Sequence, residues 1–275
     1  MTRFGILTTP TEYSMPPTAL GKWAEANRFE SIWFPEHSHI PTSRRTPFHS
    51  GGELPEIYKE FFDPFVGLTA AAAVTTKLKL GTGVCLVPEH DVINLAKTIA
   101  CLDRVSDGRF ILGIGAGWNA EEMADHGVAF KDRWKVTRER VLAMKEIWTR
   151  DIAEYHGKFV DFDPMWCRPK PLQKGGPPVL LGAQSKWALA RVAEYCDGWI
   201  PLDRGTRLAA QIEGIRLEMT NAGRSAETLD LSVLTDLPPG RGLQSAHPRP
   251  REDGLQPHHF HDPNRASRKT TPDAG

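Results

Sequence analysis

The stretch DRVSDGRFILGIGAGWNAEE, residues 103–122, decides how this chain is read. A helical pattern stops at Asp107-Gly108, where glycine takes the left-handed position beyond a helix end at no steric cost. RFILGIG (109–115) then runs apolar without alternation, as a strand does when helices cover both its faces. It leaves through Gly113, Gly115 and Gly117 into Trp118 and Asn119. The G-x-G-x-G spacing is not the dinucleotide fingerprint, and a tight turn explains it as well as a ligand does. Trp118 and Asn119 would offer a ring-shaped ligand a flat apolar face and a hydrogen-bonding amide.

Working outward, the same rhythm repeats. FGIL (4–7), SIWF (31–34), LKLGTGVCLV (78–87), PVLLG (178–182), GWIP (198–201) and LDLSVL (229–234) read as strands. Helices are predicted over 16–29, 64–76, 91–105 and 133–149, near 185–195, and over 206–222. Asp63 and Pro64 supply an N-cap and a first-turn proline for the second of these. Val92, Leu95, Ala96, Ile99, Leu102 and Val105 form the apolar stripe of the third. Residues 154–163 alternate about Gly157 as a small hairpin insertion, and 40–62 is a long polar loop of the kind that often carries function.

Seven strands in β-α alternation allow a doubly wound sheet or a barrel. Glycine-rich and polar motifs follow strand after strand rather than gathering at one switch point, which favours a (β/α)8 TIM barrel. The eighth β/α unit is missing from the pattern. After residue 235 the composition changes: positions 236–275 hold seven prolines and four histidines but only four Leu or Phe residues. The expectation is a barrel domain over 1–235 and a disordered Pro/His/Arg-rich tail over 236–275, leaving an open barrel edge.

Lys+Arg 34 balances Asp+Glu 34, so charge gives no reason to expect nucleic acid or a membrane surface as partner. No apolar run approaches the roughly 18 residues of a membrane span. The opening residues lack the apolar segment of a signal peptide. The four cysteines show no C-x-x-C pairing and read as buried thiols of a cytoplasmic protein.

WFPEHSHIP (33–41) raises a metal question. In an extended segment His37 and His39 share one side, which would suit two imidazoles on zinc. A third ligand is wanting: the other strand ends offer Gly-Trp-Asn, Gly-Ala-Gln-Ser and Pro-Leu-Asp, with His90 the one candidate nearby. The expectation is no metal, although His258, His259 and His261 in the tail could bind one weakly. Gly81 and Gly83 in LGTGVCLVP (80–88) mark either a barrel bend or a close approach to bare backbone. Gly182-Ala183-Gln184-Ser185 leads from a strand into a helix and forms either an ordinary cap or an anion seat.

Together, EHSHIP, GTGVCLVP, DRVSDGRFILGIGAGWNAEE and PPVLLGAQS…CDGW resemble the luciferase-like flavin oxidoreductase family. They are most like its members that use the deazaflavin coenzyme F420. The resemblance covers about residues 1–234. It implies a (β/α)8 barrel with the coenzyme at the C-terminal mouth and a homodimer. It also implies a non-proline cis peptide at Gly83-Val84 behind the ring. Glu36 and His37 match an acidic-His pair at the ring's reactive edge. Gly115, Gly117, Trp118 and Asn119 border the ring, and Gly182, Ala183, Gln184 and Ser185 hold the phosphate. The implied activity is hydride transfer between F420 and a small organic substrate, with His37 exchanging the proton and Glu36 orienting it. His39, Arg44 and Arg45 are candidates for substrate contact. The alternatives are an FMN-dependent monooxygenase of the same family, a metal-dependent barrel hydrolase, or a truncated flavin binder without turnover.

Overall fold

The computed structural model describes residues 3–203 and 208–235. The chain divides into two units, Met1–Thr235 and Asp236–Gly275. The segment predicted as a disordered tail is the second, and it lies outside the described residues together with its histidines.

The first unit alternates strand and helix as the apolar runs require. Its elements are β1 (Gly5–Leu7), α1 (Pro17–Ala26), β2 (Ser31–Phe34), α2 (Pro64–Ala72), β3 (Lys79–Thr82), β4 (Cys85–Leu86), α3 (Val92–Val105), β5 (Phe110–Gly115) and α4 (Ala120–Asp125). They continue with α5 (Arg133–Thr149), a hairpin of β6 (Ile152–His156) and β7 (Asp161–Trp166), β8 (Val179–Leu181), α6 (Ala188–Tyr195), β9 (Gly198–Trp199), β10 (Leu202–Asp203), α7 (Leu208–Asn221), β11 (Asp230–Leu231) and β12 (Leu234–Thr235).

One parallel sheet runs β1-β2-β3-β5-β8-β9-β11, with β4 also pairing β5. β10 and β12 form a further parallel pair beyond β9 and β11. Side chains alternate across the strands. Ile32, Phe34, Leu80, Phe110, Leu112, Ile114, Val179, Leu181 and Trp199 pack outward against the helices. Trp33, Ile111 and Leu180 of the strands, with Ile200 just beyond β9, form a smaller cluster, which fills the barrel interior.

This is the predicted (β/α)8 barrel lacking its last unit. Among the described residues the sheet path ends at β1 and β11. Phe4 (71% exposed), Leu7 (43%) and Val233 (45%) lie bare at or beside those edges.

Several boundaries differ from expectation. The strand predicted over 78–87 splits at Gly83-Val84 into β3 and β4, and 229–234 splits into β11 and the start of β12. The helices predicted over 16–29 and 64–76 stop at Ala26 and Ala72, and the one near 185–195 begins at Ala188. Asp63 does cap α2, accepting Val66 N–H at 2.8 Å, and Gly108 sits at φ 72° beyond α3. Val105 falls off the α3 stripe, half exposed, and Cys101 is exposed rather than buried.

An unpaired edge with bare apolar side chains is an association surface. Light scattering of the full chain should show concentration-dependent association, reduced in a Phe4→Ser, Leu7→Ser double variant. A wild-type protein that stays monodisperse at high concentration would mean the edge is covered in solution.

Candidate active site

The strand ends converge on a cavity of about 590 Å³ at the C-terminal mouth of the sheet. That is the size of a small-molecule site and the place where barrels keep theirs. Thr8 and Thr9 after β1, Glu36 and His37 after β2, Gly83 and Val84 between β3 and β4, Trp118 after β5, and Gly182, Ala183 and Gln184 after β8 all line it. His49, Tyr58 and Phe61 from the loop 40–62 close one side.

The back wall is the Gly83-Val84 peptide, which is cis as the resemblance implies. Val84 explains two glycines better than a ligand does. A Cβ on Gly115 would come within 2.6 Å of Val84 Cγ2, and one on Gly182 within 2.5 Å of Val84 Cγ1. Val84 is wedged between backbones that tolerate no side chain. Gly115 was expected to touch a coenzyme; it is buried behind Val84 and does not line the cavity. Gly117, at φ 75°, serves the turn into α4, and it too lies off the lining.

His37 is the centre of the site. Its Nε2 accepts the Trp118 indole N–H at 3.2 Å, so Nδ1 carries the proton and donates it to Glu122 Oε2 at 2.7 Å. The Glu122 side chain has no exposure and that of His37 has 6%. Tyr58, Phe61 and Trp118 pack around the imidazole with ring centroids 5.4, 5.4 and 5.7 Å away. Glu122 also accepts the Ser38 N–H at 3.2 Å, which pins the backbone after His37.

Glu122 was missed in the sequence, and Glu36 was given its place. Glu36 turns the other way, accepting Leu86 N–H at 2.5 Å and bonding His90 Nε2 at 3.0 Å. It therefore secures β4 behind the cis peptide and does not orient His37. Burial works against a charge on His90, but the bond to Glu36 raises its proton affinity overall.

The metal step does not form. Residues 35–41 are not an extended strand, and His39 bonds Asp125 Oδ2 at 3.0 Å on the outer side. His90 pairs with Glu36 instead of joining them. The donor atoms of Glu36, Cys85 and His90 do lie within 4.8 Å of one another. Burial, aided by the Glu36 carboxylate, pushes the Cys85 thiol well up.

The loop 40–62 is clamped by the neighbour of Glu122. Glu121 accepts the Arg45 N–H at 3.1 Å and the Thr46 hydroxyl at 2.7 Å. The Thr46 hydroxyl bond, then the backbone N–H groups, hold Glu121 down to about 2. Thr46 Oγ1 in turn takes the Ala120 N–H at 3.2 Å, capping α4. Asn119, at the N-cap position, makes no such bond; its amide is buried without a partner and off the cavity lining. Arg44 lies over the Trp118 ring at 5.7 Å. The Arg45 side chain is 90% exposed, and neither arginine lines the cavity. Ser185 is exposed as well, its hydroxyl facing Arg191 at 3.3 Å, three residues before α6 begins.

A family model described as luciferase-like monooxygenase matches residues 7–240. The chain belongs to the luciferase-like monooxygenase family. An uncharacterized protein of Mycobacterium tuberculosis is 39% identical over 229 residues, 80% of this chain and 79% of that one. The FMNH2-dependent dimethylsulfone monooxygenase of Pseudomonas putida is 27% identical over 162 residues, 58% of this chain and 44% of that one. In structure, the coenzyme F420-dependent tetrahydromethanopterin reductase of Methanopyrus kandleri superposes with TM-score 0.63 at 23% identity, covering 85% of this chain and 65% of that one. The last likeness is one of fold. Two relatives named for an activity, the dimethylsulfone monooxygenase and a pyrimidine monooxygenase of Agrobacterium fabrum, are monooxygenases. No helix among the described residues is long and apolar enough to cross a membrane.

Beneath His37, Glu89 is 9% exposed and neither carboxyl oxygen has a hydrogen-bond partner. Burial first, then the Glu122 and Glu36 carboxylates, raise it from 4.5 to about 9. The folded protein therefore binds a proton there between about pH 5 and 9 that the unfolded chain has lost. Stability should fall as pH rises through that window. Urea midpoints should decline from pH 5 to 9 in wild type and less steeply in Glu89→Gln; equal slopes would refute the assignment.

Proposed function

We propose that this protein is an oxidoreductase transferring a hydride between coenzyme F420 and a small organic substrate. The observation that carries the reading is the His37–Glu122 pair facing a cavity backed by the Gly83-Val84 peptide. The choice of F420 follows the resemblance of EHSHIP, GTGVCLVP and GAGWN to members that use it.

The cavity fits a flat coenzyme. Its rear is bare backbone at Gly83 and a wedged Val84, and its lip carries Gln184, whose buried Nε2 lacks a hydrogen-bond partner. An unpaired buried N–H is costly, and a carbonyl or phosphate oxygen would satisfy it. Gly182, Ala183 and Gln184 would hold the tail of the coenzyme, with Arg191 bringing positive charge to the adjacent Ser185. Bound there, the deazaflavin supplies two-electron hydride chemistry.

The protein's own groups manage the proton. His37 Nε2 carries a lone pair on the cavity side, held only by the Trp118 indole N–H. A substrate hydroxyl displacing that N–H would give its proton to Nε2 as hydride leaves carbon; the reverse direction returns the proton. Glu122 steadies the imidazolium through Nδ1–H. Trp118, Tyr58, Phe61 and His49 give the substrate side an aromatic lining, which suits a flat or apolar molecule.

A second reading is an FMN-dependent monooxygenase, supported by the relative from Pseudomonas putida named for FMNH2. Titration of the purified chain with each coenzyme separates them: F420 binding with weak or no FMN binding is expected, and tight FMN binding alone would overturn the choice. His37→Ala should leave coenzyme affinity near wild type and lower kcat by about 10²–10⁴-fold, the usual worth of a general acid–base group. Unchanged turnover would remove His37 from the mechanism.

A further inference from the structure

The acidic group under the site has a geometry that the pairing of His37 with Glu122 does not use. Glu89, at the end of the turn after β4, places both carboxyl oxygens in the interior without hydrogen-bond partners. Glu122 faces it from α4, and Glu36 from the end of β2. His126, at the end of α4, brings Nε2 to 3.9 Å from Glu89 Oε2, and its side chain is 28% exposed. Cys85 on β4 also feels the Glu89 charge. Arg140 of α5 bonds the Val87 carbonyl at 3.0 Å, and its charge is felt at His90. Three carboxyl groups thus meet with His37 and His126 at opposite ends, one facing the cavity and one reaching solvent.

We propose that Glu89 is the charge-compensating acid of this site: it holds a proton while His37 is neutral and releases it when His37 becomes charged. The inference rests on the reading of His37 as the proton-exchanging group.

In the resting state His37 is neutral, Glu122 is a carboxylate and Glu89 a carboxylic acid, so the trio carries one negative charge. A proton arriving at His37 Nε2 makes an imidazolium. The Glu89 O–H bond then breaks, its electron pair stays on oxygen, and the proton passes to water and leaves to solvent along the His126 side of the cluster. One proton enters, one leaves, and the net charge is unchanged. Burial, and the neighbouring His39, keep His126 below the usual imidazole range, and its Nε2 is bonded to Ser38 Oγ at 2.8 Å, so it lines the exit and is not the acceptor. In a low-dielectric interior an uncompensated charge would be expensive. Glu89 acts on the chemistry through Glu122 and His37, as a positioning residue.

The test uses the full chain without coenzyme. The His37 imidazole resonance is followed by NMR from pH 6 to 10. Wild type should show an alkaline inflection as Glu89 ionises; Glu89→Gln should lose it and Glu89→Asp should keep it. A merely structural Glu89 would leave the His37 titration alike in all three. An alkaline inflection absent from wild type, or retained in Glu89→Gln, overturns the proposal. Should Glu89→Gln fail to fold, the wild-type titration and Glu89→Asp still decide. Failure of F420 or FMN binding would count against the proposed function and leave this result untouched.

Discussion

The hydrogen bond from His37 Nδ1–H to Glu122, 2.7 Å long and shielded from water, is what the site is built around. It joins positions 85 residues apart: the segment after β2 and a six-residue helix with little apolar surface of its own. Isolated helices of that length are not stable. α4 persists because Glu122 holds His37 on one side, Glu121 holds the loop on the other, and Thr46 caps its start. The adjacent acids divide the work. One fixes the imidazole, and the other fixes the loop whose Tyr58 and Phe61 pack against it.

A second constraint sets the floor of the cavity. Val84 sits where the chain turns through the cis peptide, and Gly115 and Gly182 leave it room on either side. Glu36 then holds Leu86 and His90, which fixes where β4 resumes. The barrel, the cis peptide and the His–Glu pair therefore form one arrangement. The strands position the wall, and the wall and α4 position His37 against it.

Much of the fold was legible because buried parallel strands leave continuous apolar runs, as RFILGIG does. The cap at Asp63 and the stop at Gly108 were legible because their backbone chemistry is local. What was not legible depends on long-range pairing. AEEMAD carries no apolar stripe, so α4 left no signal, and an acidic pair at a helix start reads as ordinary dipole matching. Glu36 looked like the partner of His37 because it is adjacent in sequence, yet its carboxylate is taken by the Leu86 N–H and His90. His37 and His39 looked like a metal step only on the assumption of an unbroken strand through 35–41. The resemblance set Gly115 beside the ring, whereas Gly115 is required by Val84, a residue about thirty positions earlier.

The central claim is that Glu122 fixes His37 as the Nδ1–H tautomer with its Nε2 lone pair toward the cavity. Nitrogen-15 NMR of the imidazole at neutral pH measures this directly. A protonated Nδ1 and an unprotonated Nε2 are expected in wild type, with that preference lost in Glu122→Ala. A His37 protonated at Nε2 in wild type, or a tautomer indifferent to the loss of Glu122, would contradict it.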